Sequence, residues 1–329
     1  MDSLSNKPDF ASLTHETIIA IAEEELGTRL TGLCRPYNSY INRIFELSGE
    51  DGTGLVIKFY RPERWSKDAL QDEHDFLMEL SGAEIPVIAP LPLKGSRTLG
   101  IVGDTMFAIF PKKGGRNSDE FSDDEWLELG RLIARVHNIG ATHMPKDRIT
   151  LTPEKATRGH LDFILEHGLV PKELSGRFAD VTNELIALIS PLFRDKPLIR
   201  IHGDCYSANI IHRPGESFYL IDFDDMAIGP AIHDVWMLLP GYRKDSQKEL
   251  NLFMEGYTTF RNLDRSDLEL IEPLRAMRYI HFIAWCARQA ADKGFSSLLP
   301  KWGSPEYWQT EINDLTGQLA RIKSGMAIK

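Results

Sequence analysis

The chain has 329 residues, 42% of them hydrophobic, enough to bury one large core or two lobes of ordinary domain size. With 38 lysines and arginines against 48 acidic residues, its formal charge of −10 argues against a nucleic-acid groove or an anionic membrane surface, since both require a basic face. Three scattered cysteines, no apolar run of membrane-spanning length and no basic-then-apolar leader in MDSLSNKPDFASL point to a reduced, cytoplasmic setting. A monomer that binds neither nucleic acid nor membrane is the expectation, although the sequence itself does not fix the oligomeric state.

From the amino terminus, the pattern first predicts a helix over about 14–25, with Ile18, Ile21 and Ala22 at helical spacing. After Gly27 it changes to short strands. Alternating runs at 44–47 and 55–60 flank a glycine turn between Gly49 and Gly54, which predicts a hairpin. Ser66 can cap a helix through Leu80 that carries Leu70, His74, Leu77 and Leu80 on one stripe. Strand-like pieces follow at 99–102 and 106–110, and the chain turns at 111–116. Beyond that turn it is mostly helical: Ser122 caps a helix bearing Trp126, Leu129, Ile133 and Val136, and one or two more helices fill 160–190. Apolar strands interrupt at 198–224, and helical patterns resume at 235–239, 248–258 and 267–290. A strand-rich first third and a helix-rich remainder predict a two-lobed α+β fold, an antiparallel-sheet lobe at 1–111 and a helical lobe at 112–329.

The chemistry lies near that second group of strands. His202-Gly203-Asp204 and Asn209 stand in IHGDCYSANII, and Asp222 follows in YLIDFDD. H-x-D-x-x-x-x-N is the spacing of a protein-kinase catalytic loop. Phosphoryl transfer needs a carboxylate to orient and deprotonate the attacking hydroxyl, and oxygen ligands for Mg²⁺ as charge shifts among the phosphates. Asp204 suits the first task, as base or at least as orienter. Asn209 and Asp222 suit the second. A lone H-G-D would say little, but the full set between apolar strands predicts a phosphotransferase site.

Such a site needs a lysine for the phosphates and a glutamate to hold it. Lys58 shares a strand face with Val56 and Tyr60, so it can enter a cleft while Ile57 and Phe59 anchor the strand; a solvent-facing edge charge is the alternative. Glu73 is the expected ion-pair partner on the helix that follows, with Glu79 as a rival and Asp72 and Asp75 equally acidic neighbours. No glycine-rich loop precedes the second strand. The polar loop 35–43 occupies its place, with Ser39 at the tip as the natural phosphate donor and Asn38 and Asn42 shaping the turn.

These segments, with PYNSYINRIFEL, VIKFYRPERW, DEHDFLMEL and IEPLRAMR, resemble the aminoglycoside phosphotransferase and choline kinase superfamily, which has a protein-kinase-like fold. Within it they are similar to a bacterial subgroup of stress-response serine/threonine protein kinases, over nearly the whole chain. The resemblance implies that Asp204 accepts the proton, that Asn209 and Asp222 bind Mg²⁺ with Asp222 counted in the active site, and that Ser39 lies at the ATP site. It also implies ATP as co-substrate and a protein serine or threonine acceptor, possibly the enzyme itself. Gly203 stands where a protein kinase carries an arginine that reads an activation-loop phosphate, and Asp222-Phe223-Asp224 replaces D-F-G without a later A-P-E. Control by such a phosphate is therefore not expected.

Several residues have plainer readings. His202 is read as fixing the loop, and Asp234 either braces that loop or is an ordinary helix-start acid. Asp224 and Asp225 read as solvated turn acids in preference to metal contacts, and Cys205 as a small packed thiol. Arg275 and Arg278, on one apolar helix, either pair in the core or face an acceptor. A small-molecule hydroxyl kinase remains the alternative, because fold does not fix the acceptor; an acidic, aromatic-walled pocket of Asp225, Trp236 and Trp285 would favour it. A non-catalytic ATP-binding regulator is the third reading, disfavoured by the presence of Asp204, Asn209 and Asp222.

Overall fold

A computed structural model describes residue 10 and residues 13–118, 120–213, 215–292 and 295–327. The amino-terminal stretch read for a leader thus lies outside the described residues, apart from Phe10 and Leu13. The first element, α1 (His15–Leu26), starts where the Thr14 side chain accepts a hydrogen bond from Thr17 N and stops at the left-handed Gly27. Strands β1 (Leu30–Pro36), β2 (Arg43–Gly49) and β3 (Gly54–Phe59) follow, then α2 (Lys67–Gly82), β4 (Gly100–Val102) and β5 (Thr105–Pro111). The sheet is antiparallel, in the order β1-β2-β3-β5-β4.

Period-two alternation decides what each face of β3 does. Leu55, Ile57 and Phe59 enter a core shared with Ile18 and Ala22 of α1. Lys58 is on the other face, where Tyr60 packs with Leu70, Leu99 and Ala108. It is also central in the sheet, opposite Ile44 on β2 and Ala108 on β5, so the edge-charge reading of Lys58 does not hold. Helix α2 begins at Ser66, whose side chain accepts from Ala69 N, and it bridges two cores. Leu70 belongs to the sheet side, whereas Phe76, Leu77 and Leu80 join the larger helical core.

The rest is helical around two short strand pairs. Helix α3 (Asp123–Gly140) opens with a reciprocal capping box between Ser122 and Glu125. It is followed by α4 (Arg158–Glu166), α5 (Lys172–Ile189), β6 (Leu198–Ile201), β7 (Ile210–His212), β8 (Phe218–Leu220) and β9 (Ala227–Pro230). The chain closes with α6 (Ile232–Leu238), α7 (Gln247–Tyr257), α8 (Ile271–Gln289), α9 (Phe295–Leu298) and α10 (Pro305–Ala327). Strand β6 pairs with β9, and the β7–β8 hairpin is nested between them, so the turns after β6 and β8 fall together.

Two helix boundaries differ from the sequence expectation. The pattern over 267–290 is a 3₁₀ turn, Arg265–Leu270, followed by α8, because Pro273 sits in the first helical turn, where a missing N–H is harmless. Helix α6 begins at Ile232, earlier than its apolar run suggested, which brings Asp234 into its first turn. Among the described residues no helix is long and apolar enough to cross a membrane.

Candidate active site

The loop after β6 is shaped before any catalytic group is considered. Gly203 has φ +83°, and a Cβ there would lie 2.0 Å from the Asp225 carbonyl oxygen, so glycine alone fits. Asp234, fully buried, accepts hydrogen bonds from His202 N at 2.7 Å and Gly203 N at 2.9 Å, and His137 Nε2 lies 3.0 Å from the same carboxylate. Burial pushes that carboxyl up, but the bond from His137 and its charge hold it below the usual range. Of its two sequence readings, Asp234 takes the bracing one. His202 is likewise structural: its Nε2 is 2.9 Å from the Ile221 carbonyl oxygen, and its Nδ1 accepts from Asp204 N at 3.3 Å.

These bonds set Asp204, Asn209 and Asp222 side by side. Asn209 Nδ2 donates to the Asp204 backbone oxygen at 2.9 Å, while the Asn209 carbonyl accepts from Ile221 N at 3.0 Å. The amide nitrogen is thereby spent on the loop, which leaves the amide oxygen as the group Asn209 can offer a cation. Asp222 adopts left-handed φ and ψ of 61° and 67°, uncommon for a non-glycine residue and costly unless its surroundings enforce it. Its side chain is 47% exposed. A half-exposed carboxylate beside an amide oxygen is an oxygen-only donor set of the kind hard cations take. Among the described residues no three His, Cys, Asp or Glu side chains cluster as a protein-only cage, so an ion here would draw its remaining ligands from phosphate and water oxygens. The residues fit Mg²⁺ on that basis.

Lys58 Nζ enters this site from β3, 2.9 Å from Asp222 Oδ1 and 3.1 Å from Asp224 Oδ1. Burial alone would lower its pKa, yet the two carboxylates raise it well above the usual lysine value, so it stays charged. Asp224 is the larger correction to the sequence reading. Instead of a solvated turn acid it is buried, and it accepts from Arg64 Nη1 at 2.6 Å and Asn42 Nδ2 at 2.9 Å. Asn42 therefore does more than shape its turn, since its Oδ1 also accepts from Arg61 N at 3.0 Å. Asp225 is held by Arg64 Nη2 at 2.7 Å.

The expected Lys58–Glu73 ion pair is not formed. Glu73 pairs with Arg148 Nη2 at 3.0 Å, and the same guanidinium donates to the Ala69 and Asp224 carbonyl oxygens at 2.7 and 2.6 Å. A planar fork can join α2 to the Asp224 turn in this way, whereas the compact ammonium of Lys58 already has two carboxylates close by. Glu79, the rival, pairs with Arg200 Nη2 at 2.6 Å. Burial, reinforced by the nearby Asp224 and Asp222 charges, pushes the Glu73 carboxyl up to about 7 against the pull of Lys58 and Arg148. A raised folded-state value favours the protonated form. Its stabilising effect is full below the ordinary glutamate range and is lost as pH rises toward 7. Glu73→Gln should therefore gain stability relative to the native protein between pH 5 and 8, on the order of 2–3 kcal/mol. Urea midpoints at the two pH values measure this, and an unchanged gap would contradict the assignment.

Ser39 lies in the loop joining β1 and β2, half-buried, next to Tyr40, whose ring is 5.8 Å from that of Trp285 on α8. The aromatic acidic pocket considered from sequence does not assemble: Asp225 is taken by Arg64, Trp236 packs against Arg275 at 4.9 Å, and Trp285 stacks on Phe282 at 5.9 Å. Cys205 is fully buried with its thiol pushed well up by burial, an inert packing residue. Sequence reasoning left open a further contact of consequence. Arg278 Nη2 on α8 donates to Asp204 Oδ1 at 2.7 Å, which separates it from Arg275 and puts it in the site. Burial nevertheless raises the Asp204 carboxyl above the usual range, with Arg278 opposing, in the direction that suits a base.

Residues 34–268 match the model of the phosphotransferase enzyme family. The chain is 36% identical to Stress response kinase A of Escherichia coli O157:H7, over 91% of this chain and 90% of that protein. It is equally similar, at 36% over 94% of this chain and 93% of the relative, to the serine/threonine protein kinase RdoA of Salmonella typhimurium strain LT2. Among solved structures, amicoumacin kinase hAmiN, in complex with AMP-PNP, Ca²⁺ and Ami, superposes with a TM-score of 0.73 at 19% identity, over 92% of this chain and 94% of that one.

Proposed function

Since the chain belongs to the phosphotransferase enzyme family, we propose that it transfers the γ-phosphoryl group of ATP to a serine or threonine hydroxyl of a protein, in the manner its stress-response relatives' names suggest. The observation that carries the reading is the hydrogen-bonded group of Asp204, Asn209 and the Asp222 turn, met from the sheet by Lys58. On this reading residues 1–111 form the nucleotide-binding lobe and 112–329 the helical lobe with the catalytic loop.

Asp204 orients the acceptor hydroxyl and takes its proton as the oxygen bonds to the γ-phosphorus; the bond to the β-phosphate oxygen breaks and ADP leaves. Asp222 and the Asn209 amide oxygen would hold Mg²⁺, which neutralises phosphate charge when bound. Lys58 steadies the phosphates, and Ser39 meets them from the loop before β2. Glu73 contributes indirectly, through Arg148, to the placement of the Asp224 turn.

A small-molecule hydroxyl kinase is the second reading, favoured by the fold likeness to amicoumacin kinase. Incubation with γ-labelled ATP, Mg²⁺ and parallel panels of proteins and small alcohols separates the two. The expected result is label on protein serine or threonine, lost in Asp204→Asn. Label confined to small alcohols would overturn the protein-kinase reading and leave the phosphotransferase assignment standing.

A further inference from the structure

Beside the catalytic loop lies a narrow cleft, partly open to solvent, whose walls include Thr157, His160, Gly203, Asp225, Arg278 and His281. Leu274, Met277, Arg278 and His281 present one stripe of α8 to it, at helical spacing. The cleft reaches the catalytic base through Arg278, whose side chain is 30% exposed and whose hydrogen bond to Asp204 uses one of five guanidinium donors. Among the described residues no other hydrogen-bond acceptor takes this guanidinium.

The other polar groups of the cleft leave Arg278 as its cation. His281 and His160 lie 3.2 Å apart, ring nitrogen to ring nitrogen, and burial holds both below the ordinary histidine value, as it does His233. They are therefore neutral near pH 7. Asp225, the carboxylate in the lining, has one oxygen bonded to Arg64 at 2.7 Å. An amine-bearing acceptor would have to compete for Asp225 while lying against a positive guanidinium. An acceptor with a carboxylate would meet open donors.

Building on the assignment of Asp204 as base, we propose that this cleft is the acceptor subsite and that Arg278 selects acceptors carrying an anionic group next to the reacting hydroxyl. For a protein acceptor that means a serine or threonine with a neighbouring Asp or Glu. The incoming carboxylate takes Arg278 donors and loosens its hold on Asp204, so the base is released where the correct hydroxyl has arrived. Arg278 is thus a specificity residue that also positions the base.

The test compares serine peptides that differ only in a neighbouring Asp or Asn, and in parallel glycerate against glycerol. The native enzyme should favour the acidic member of each pair by roughly 10- to 100-fold in kcat/KM, the usual strength of a charge-assisted contact. Arg278→Gln should shrink that ratio to roughly threefold or less, with Arg278→Lys in between. The ratio is the readout because a misplaced Asp204 slows both members alike, and calorimetry with ATP confirms that the variants are folded. Indifference of the native enzyme to charge in both pairs, or a full preference kept by Arg278→Gln, overturns the proposal. Preference seen for glycerate with no peptide phosphorylated supports the role of Arg278 and rejects the protein-kinase reading. Peptides phosphorylated without regard to charge do the reverse.

Discussion

Replacing Asp204 by asparagine is expected to lower turnover by roughly 10²–10⁴ while changing ATP affinity by only a small factor. The substitution keeps the shape of the side chain and removes the proton acceptor. The loop itself should survive, because its bracing bonds run through the backbone and through other side chains: Asp234 to His202 N and Gly203 N, and Asn209 Nδ2 to the Asp204 backbone oxygen. An asparagine oxygen can still accept from Arg278, so the α8 contact is weakened in charge but not abolished. Steady-state kinetics with separate measurement of ATP binding checks this. Near-normal turnover would remove Asp204 from the base role.

The largest expected loss of stability is at Asp224. Its carboxylate is buried and faces two cations, Lys58 Nζ at 3.1 Å and Arg64 Nη1 at 2.6 Å, and it also takes the Asn42 amide at 2.9 Å. Removing one member of a buried charge network leaves the others uncompensated, at a typical cost of about 3–5 kcal/mol. Asp224→Ala should lower folding stability by that order, read from urea unfolding at pH 7. The carboxyl is held below the usual aspartate range because Lys58 and Arg64 outweigh the burial that would raise it. Its contribution is therefore complete above the ordinary aspartate value and is lost as pH falls through the lowered one. The gap between native and variant should persist at neutral pH and narrow only in acid. A loss under about 1 kcal/mol at pH 7 would mean the network is solvent-screened like a surface pair.

Local features were legible in the sequence. Thr14 was not singled out as a cap, but Ser66 and Ser122 were, and both start helices as their short side chains and the apolar stripes behind them predict. The same holds for the H-G-D…N…D order, because its members are placed by a tight loop and a nested hairpin that need few residues to specify. Long-range partnerships were not legible. Glu73 stands on its predicted helix, but the choice of Arg148 over Lys58 depends on a residue 75 positions away. Asp224 and Asp225 look alike in a polar turn, and only Asp224 is buried by the lobes that close over it. Arg275 and Arg278 are one turn apart on α8; Arg275 donates to the Gly241 carbonyl oxygen, and Arg278 to the Asp204 carboxylate. Periodicity gives the face of a helix, not what that face meets. Helix α10 was absent from the sequence expectation, although Tyr307, Trp308, Ile312 and Leu315 bury one side of it.

The account depends on Asp222 and Asn209 sharing one divalent cation with the ATP phosphates while Asp204 addresses the acceptor. The most direct measurement is a crystal structure with Mg²⁺ and a non-hydrolysable ATP analogue. The expected result places the Asp222 carboxylate and the Asn209 amide oxygen about 2.0–2.1 Å from the metal. Lys58 should be turned from Asp222 to the phosphates, and Asp204 should stand near the γ-phosphoryl group without binding the ion. A nucleotide seated elsewhere, or a metal ligated by neither Asp222 nor Asn209, would contradict it.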